Sequence, residues 1–268
     1  GLRFLNGSGQ RISTGGKVVK NVAGYDMTRL MVGSEGALGI ICEVTWRIST
    51  RPEHCCAASA RGSLADCFSM AFKLMNSCLL PAFLVILPQE NASDPMAAGW
   101  TIRGGFEGLS MVVDHQAGRL RDLFIENGLA GADIQPYALE GGGVRDDFTK
   151  MGKAGIVLKS ACAAEKMPDL VRTVNRLARP SGWLMDAGCG RAFMGLESLE
   201  GSRWADLSGQ IKQENGLIRV EKAPPDFFDE NRLFGTLSQP ELPVMQAIKS
   251  GLDPDAVFAS PALTALSK

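Results

Sequence analysis

Apolar residues along this chain recur at two spacings, and the changes between them mark out its elements. Leu2 to Leu5 and Gln10 to Ser13 alternate about Asn6-Gly-Ser-Gly9, which predicts a hairpin. Lys17 to Lys20 reads as a short strand. Asp26 can cap a short helix over Met27 to Val32, and Gly33 is a helix stop. Leu38 to Ile48 is rich in β-branched residues and predicts a strand, and Arg51-Pro52-Glu53 then breaks the pattern. Beyond the break, Cys55 to Ala60 predicts a strand, and Leu64 to Asn76 carries Leu64, Cys67, Phe68, Ala71 and Met75 at helical spacing. Strands over Phe83 to Leu87 and Gly99 to Phe106 follow, then a helix over Ser110 to Asn127 ended by Gly128, and a weak strand over Ile134 to Tyr137.

The series then repeats. Gly155 to Ser160 predicts a strand, and Met167 to Leu177 a helix entered at Pro168 and Asp169. Trp183 to Asp186 and Arg191 to Leu196 form a hairpin about Gly188 to Gly190. Ser202 to Asn215 is a helix and Leu217 to Glu221 a strand. Both rounds read β-α-β-β-α-β, separated by Glu140-Gly-Gly-Gly143. The expected class is therefore α+β: an antiparallel sheet with helices on one face, built from duplicated ferredoxin-like βαββαβ units. After Pro224-Pro225 the chain turns irregular, with a last helix over Pro243 to Lys249 and a turn-rich tail over Asp253 to Phe258. Three segments are expected: residues 1–51, residues 52–222 and a tail of residues 223–268.

Composition narrows the function classes. With 268 residues, 45% hydrophobic and 21% charged, the chain can bury a sizeable core in one or two domains. A net charge of -1 leaves no electrostatic footprint for nucleic acid. No run reaches the roughly 18 apolar residues of a membrane span. The greasiest stretch, Cys78 to Leu87, is interrupted by Pro81 and reads as a buried strand. No signal peptide is visible, and the missing initiator methionine suggests processing or truncation. The seven cysteines form no Cys-x-x-Cys pair and read as reduced buried thiols of a cytosolic protein. With His54 and His115 as the only histidines, no conventional zinc site is expected. Trp46, Trp183 and Trp204 read as core. Arg145, Asp146 and Asp147 read as a solvated helix face, while Asp186 and Arg191 flank the Gly188 turn where a cleft could be lined.

The candidate chemistry lies in the glycines. Gly33, Gly36 and Gly39 invite a dinucleotide-binding reading, but a helix precedes them and a strand follows. The Rossmann fingerprint needs the reverse order, and a P-loop lacks its Gly-Lys-Ser/Thr. By spacing alone the glycines serve equally as tight turns of a β-rich region, Asp26 as a helix cap and Tyr25 as packing. The combination adds more. Asn21-Val-Ala-Gly24-Tyr-Asp26, the short helix, Gly33-Ser-Glu35-Gly36-Ala-Leu38-Gly39 and the β-branched strand resemble the FAD-binding domain of the vanillyl-alcohol-oxidase or p-cresol methylhydroxylase (PCMH) type flavoproteins. The nearest subgroup resembles the FAD-binding subunit of glycolate oxidase, a relative of the D-lactate and D-2-hydroxyglutarate dehydrogenases. Arg51-Pro-Glu-His54 resembles that family's exit into its second domain. Lys249-Ser-Gly-Leu-Asp253-Pro-Asp-Ala-Val-Phe258-Ala-Ser-Pro261 resembles its ending.

The resemblance implies a partial PCMH-type FAD-binding subdomain over residues 1–51, a cap or substrate domain over 52–222, and a tail over 223–268 that returns toward the FAD domain. It points to Glu35, Gly36, Ala37, Leu38, Gly39, Ile40 and Ile41 as cofactor contacts, with Asn21, Gly24 and Asp26 adjacent. The cofactor implied is FAD, the substrate a small 2-hydroxy acid, and the partners are flavoprotein and iron–sulfur subunits. The place is the cytoplasm, at the inner membrane only through a complex. Three departures bear on this. The family's N-terminal half of the FAD cradle has no counterpart here, its histidine-rich metal motif has none either, and its terminal Asn-Pro-Gly stands as Ser260-Pro261-Ala262. The alternative expectation is a truncated subunit that binds no FAD and serves as a scaffold. No catalytic residue is identified.

Overall fold

The computed structural model describes residues 1–16, 24–89, 99–139, 153–225, 227 and 241–259. The predicted strand over Lys17 to Lys20, Asn21, the Glu140 to Gly143 connection, the Arg145 to Asp147 face and Ser260 to Ala262 lie outside these residues. The chain divides into two compact units, Gly1–Thr50 with Leu237–Lys268, and Arg51–Thr236.

In the first unit, β1 (Leu2–Leu5) and β2 (Arg11–Thr14) form the predicted hairpin, paired from Leu2↔Thr14 to Leu5↔Arg11. Asn6 closes the turn: its side-chain oxygen accepts from the Gln10 amide at 2.8 Å, and its own amide donates to the Gln10 carbonyl at 3.1 Å. α1 (Met27–Met31) follows, then β3 (Ile40–Val44), which lies on the other side of β1 so that the sheet runs β2-β1-β3. β3 is shorter than the predicted Leu38 to Ile48. Leu38 is buried in the unit's core, and the ladder ends where the Thr45 amide donates to the Gly1 carbonyl at 2.8 Å. Trp46, expected in the core, lies beyond the last paired residue of β3 and is 79% exposed.

The second unit holds one eight-stranded antiparallel sheet. Its first round is β4 (His54–Gly62), α2 (Leu64–Met75), β5 (Phe83–Pro88), β6 (Trp100–Gly108), α3 (Ser110–Glu126) and β7 (Ala130–Pro136). Its second is β8 (Ile156–Ala161), α4 (Met167–Leu177), β9 (Gly182–Asp186), β10 (Arg191–Leu196), α5 (Gly201–Gln213) and β11 (Leu217–Lys222). The sheet order is β11-β8-β10-β9-β5-β6-β4-β7. Numbering the strands of each round one to four, both rounds run 4-1-3-2, and they meet through their second strands at Val85↔Asp186 and Ile86↔Met185. β7 begins four residues before the predicted Ile134. It is an edge strand with mostly exposed residues, so no apolar alternation marks its first half.

The helices bury stripes at helical spacing: Cys67, Met70, Ala71 and Leu74 on α2, Val113, Ala117, Leu120 and Phe124 on α3, and Leu170, Val171 and Val174 on α4. These pack with Trp100, Ile102, Trp183 and Trp204 into one large core. α2 starts with a reciprocal capping box between Ser63 and Asp66. The opposite sheet face carries only a small apolar cluster around Val85, Val157 and Leu184. Asp186 and Arg191 pair with each other at 2.9 Å across the β9–β10 turn rather than facing a cleft singly. A last helix, α6 (Glu241–Leu252), belongs to the first unit. Among the described residues no helix is long and apolar enough to cross a membrane.

Candidate functional site

The glycine segment begins on a capped helix. Asp26 accepts the Arg29 amide at 3.1 Å as the N-cap of α1 and pairs with the Arg29 guanidinium at 3.2 Å. Its carboxylate thus serves the helix. Gly24 precedes it with an exposed backbone, and Tyr25 is 96% exposed rather than packed. α1 ends at Val32. The Ser34 amide donates to the Met31 carbonyl at 3.2 Å and the Ala37 amide to the Ser34 carbonyl at 2.9 Å, so two tight turns carry the chain from helix to strand.

Glu35 and Gly36 are consecutive left-handed residues, at φ of 52° and 79°. A side chain at φ above zero is strained, which explains glycine at the second position; Glu35 carries that strain in the first. Among the described residues no atom outside its chain neighbours lies within 4 Å of where a Cβ on Gly36 would stand, so the bare backbone is open there. Gly39 answers a different need. A Cβ there would come within 2.6 Å of the Leu5 carbonyl, so this glycine lets β3 approach β1. Leu38 points into the small core of Leu2, Phe4 and Met31. Beyond it all five residues of β3 are exposed, with Ile40 at 57% and Ile41 at 43%. The structure therefore brings Glu35, Gly36, Ala37, Ile40 and Ile41 onto one open stretch, while Leu38 and Gly39 anchor it from behind and Asp26 caps the helix.

The anchor is completed from the other end of the chain, by residues that sequence reasoning noted only as a family-like ending. Lys249 on α6 donates to the Ala37 carbonyl at 2.7 Å and to the Phe258 carbonyl at 2.8 Å, and pairs with Asp253. Asp253 is buried and accepts the Val257 and Phe258 amides at 2.8 and 2.9 Å. Burial alone would push its carboxyl up. The Lys249 hydrogen bond and the two amides outweigh burial and hold the carboxyl below the ordinary carboxylate range. The Gly7 amide donates to the Leu252 carbonyl at 2.8 Å, tying the hairpin turn to the same segment. The local signal for this lock was Lys249 and Asp253 at i, i+4 on one helix face.

The second unit carries a polar and aromatic cluster on the sheet face away from the helices. The Phe83 ring lies edge-on to Tyr137 at 5.5 Å, and the Arg103 guanidinium stands 5.6 Å from the Phe83 centroid. The Tyr137 hydroxyl donates to Glu107 at 2.9 Å; burial first, then this carboxylate, push its pKa upward.

No family profile matches the chain. It is 42% identical over 69 residues to the glycolate oxidase subunit GlcE of Escherichia coli, an alignment covering 26% of this chain and 20% of the relative. An uncharacterised FAD-linked oxidoreductase of Mycobacterium tuberculosis aligns over 96% of this chain and 62% of its own length at 27% identity. This chain is a homologue of the FAD-linked oxidoreductases. The crystal structure of p-cresol methylhydroxylase with substrate bound shares the fold, with a TM-score of 0.70 at 12% identity over 98% of this chain and 64% of that one. The chain spans less than two thirds of the length of each of these proteins.

Proposed function

We propose that this chain contributes one wall of an FAD site in a subunit of a glycolate-oxidase-like complex that oxidises a 2-hydroxy acid and passes the electrons to an iron–sulfur partner subunit. The observation that carries this is the open left-handed turn at Glu35 and Gly36 running directly into β3, whose apolar side chains are exposed. The cofactor fits that surface: bare backbone at Gly36 admits a close-lying ligand, and β3 offers an exposed apolar side chain on either face, Ile40 on one and Ile41 on the other, for a flat ring to lie against. Bound flavin would supply the two-electron acceptor by which a 2-hydroxy acid becomes a 2-oxo acid. The chain's own share is to bind and orient. Asn21 and Gly24 stand as adjoining contacts, and Ala37 holds the turn through its carbonyl on Lys249. Residues 1–51 would form the cofactor side, 52–222 the cap over the substrate, and 223–268 the returning tail. The similarity to a glycolate oxidase subunit supports the substrate class and the partner subunits.

Calorimetric titration of FAD into the purified chain tests the reading. Saturable binding weaker than about micromolar Kd is expected of one wall alone, weakened at least about tenfold further in Gly36→Val, where a branched side chain would stand in the open space. A folded chain that takes up no FAD would overturn it and leave the interaction-subunit alternative.

A further inference from the structure

We propose that His54, Cys56 and Asp114 form a binding site for a divalent cation of the zinc class. The site lies wholly in the second unit, on the helix side of its sheet, and does not depend on the FAD reading.

Three features of the fold build it. His54 and Cys56 are two apart on β4, so strand alternation puts both side chains on one face. That face is the helix side, since Cys56 is buried there with Ala58 and Ala60. His54 pairs with Gly108, the last residue of β6, and α3 starts at Ser110, so the first turns of α3 fold back over the start of β4. Asp114 arrives above both residues. Its Oδ1 is 3.3 Å from His54 Nε2, and one donor atom from each of the three residues lies within 4.8 Å of the others. Four ligands around zinc at about 2.0–2.3 Å stand roughly 3.3–3.8 Å apart. The His54–Asp114 separation already meets that spacing, and a rotation of exposed side chains closes the rest.

The depths differ usefully. Cys56 is buried at 2% exposure and forms the floor, while the His54 and Asp114 side chains are 34% and 66% exposed and form the mouth. A metal can enter from solvent, bind the Cys56 sulfur at the bottom with release to solvent of the thiol proton that now faces the Val113 carbonyl, and keep water in the fourth position. The donor set selects the class. Calcium and magnesium take oxygen ligands, whereas a thiolate, an imidazole and one carboxylate suit zinc. A bound cation would add to the tie between the start of β4 and α3, where the Glu53 carboxylate already accepts the Ser110 amide at 3.4 Å.

The test uses the whole chain, stripped with chelator and titrated with cobalt(II) and then zinc(II). A thiolate-to-cobalt charge-transfer band that saturates at one equivalent and is displaced by zinc is expected. Loss of an outer-shell partner alone weakens metal binding about 10–100-fold, so His54→Ala and Asp114→Ala should each weaken cobalt affinity by at least about tenfold. Far-ultraviolet circular dichroism of these variants should be unchanged. Cys56→Ser should abolish the band; should that variant fail to fold, the two exposed positions still decide. No saturable band in the wild-type chain, or a band of equal affinity in His54→Ala and Asp114→Ala, would overturn the proposal.

Discussion

The two units solve stability in opposite ways. The sheet of the second unit is covered on one face by four helices and buries Trp100, Trp183, Phe106 and Phe124 almost completely. Among its described residues the first unit buries a small core of Leu2, Phe4, Met31 and Leu38, and leaves Ile40, Ile41, Val44 and Trp46 exposed. What it lacks in apolar burial it makes up with a closed polar lock, Lys249 with Asp253, Ala37 and Phe258. A thin core is compatible with a surface that must accept something else, and a thick one with a scaffold.

The comparison can be broken most strongly in the large core. Phe124→Ala removes a fully buried ring and should cost about 3–5 kcal/mol, seen as a lower urea midpoint, while hydrogen exchange in the first unit stays unchanged. Gly39→Val sharpens the contrast from the other side. It forces β3 away from the Leu5 carbonyl and should cost about 1–3 kcal/mol, with faster exchange confined to β1 and β3. Asp26→Ala removes the cap of a short helix and should cost about 1 kcal/mol, read as faster exchange of the first-unit amides alone. Acid gives the smallest effect near neutrality and a growing one below it. The Asp253 carboxyl is held below its ordinary value, so its lock contributes fully above about pH 4. That contribution is lost as pH falls through the lowered value. Exchange in the first unit should therefore rise in acid, and Asp253→Asn should remove that acid dependence.

Much of this was legible because its causes are local. Helical spacing marked α2 to α5, Asp26 announced itself as a cap, and the Asn6 turn announced the hairpin. Both rounds of the second unit could be read element by element. What stayed hidden depends on partners far away in the chain. The extent of β3 depends on its pairing with β1, the first half of β7 on pairing with β4 rather than on apolar alternation, and Trp46 stands beyond the last β3 rung. Lys249 reaches Ala37 across 212 positions. Asp114 meets His54 and Cys56 only because α3 doubles back on β4. The glycines show the same division: the spacing located the turn, but only the Leu5 carbonyl separates Gly39, a packing residue, from Gly36, which is open.

The join at Val85 and Ile86 has a symmetry of its own. Like strands pairing antiparallel, β5 with β9, is the arrangement a two-fold axis generates between identical copies. A single round standing alone would present that same second strand as a free edge, and two such copies would close on each other there. The second unit thus has, within one chain, the strand pairing of a symmetric dimer. Separately expressed rounds should find each other through that seam.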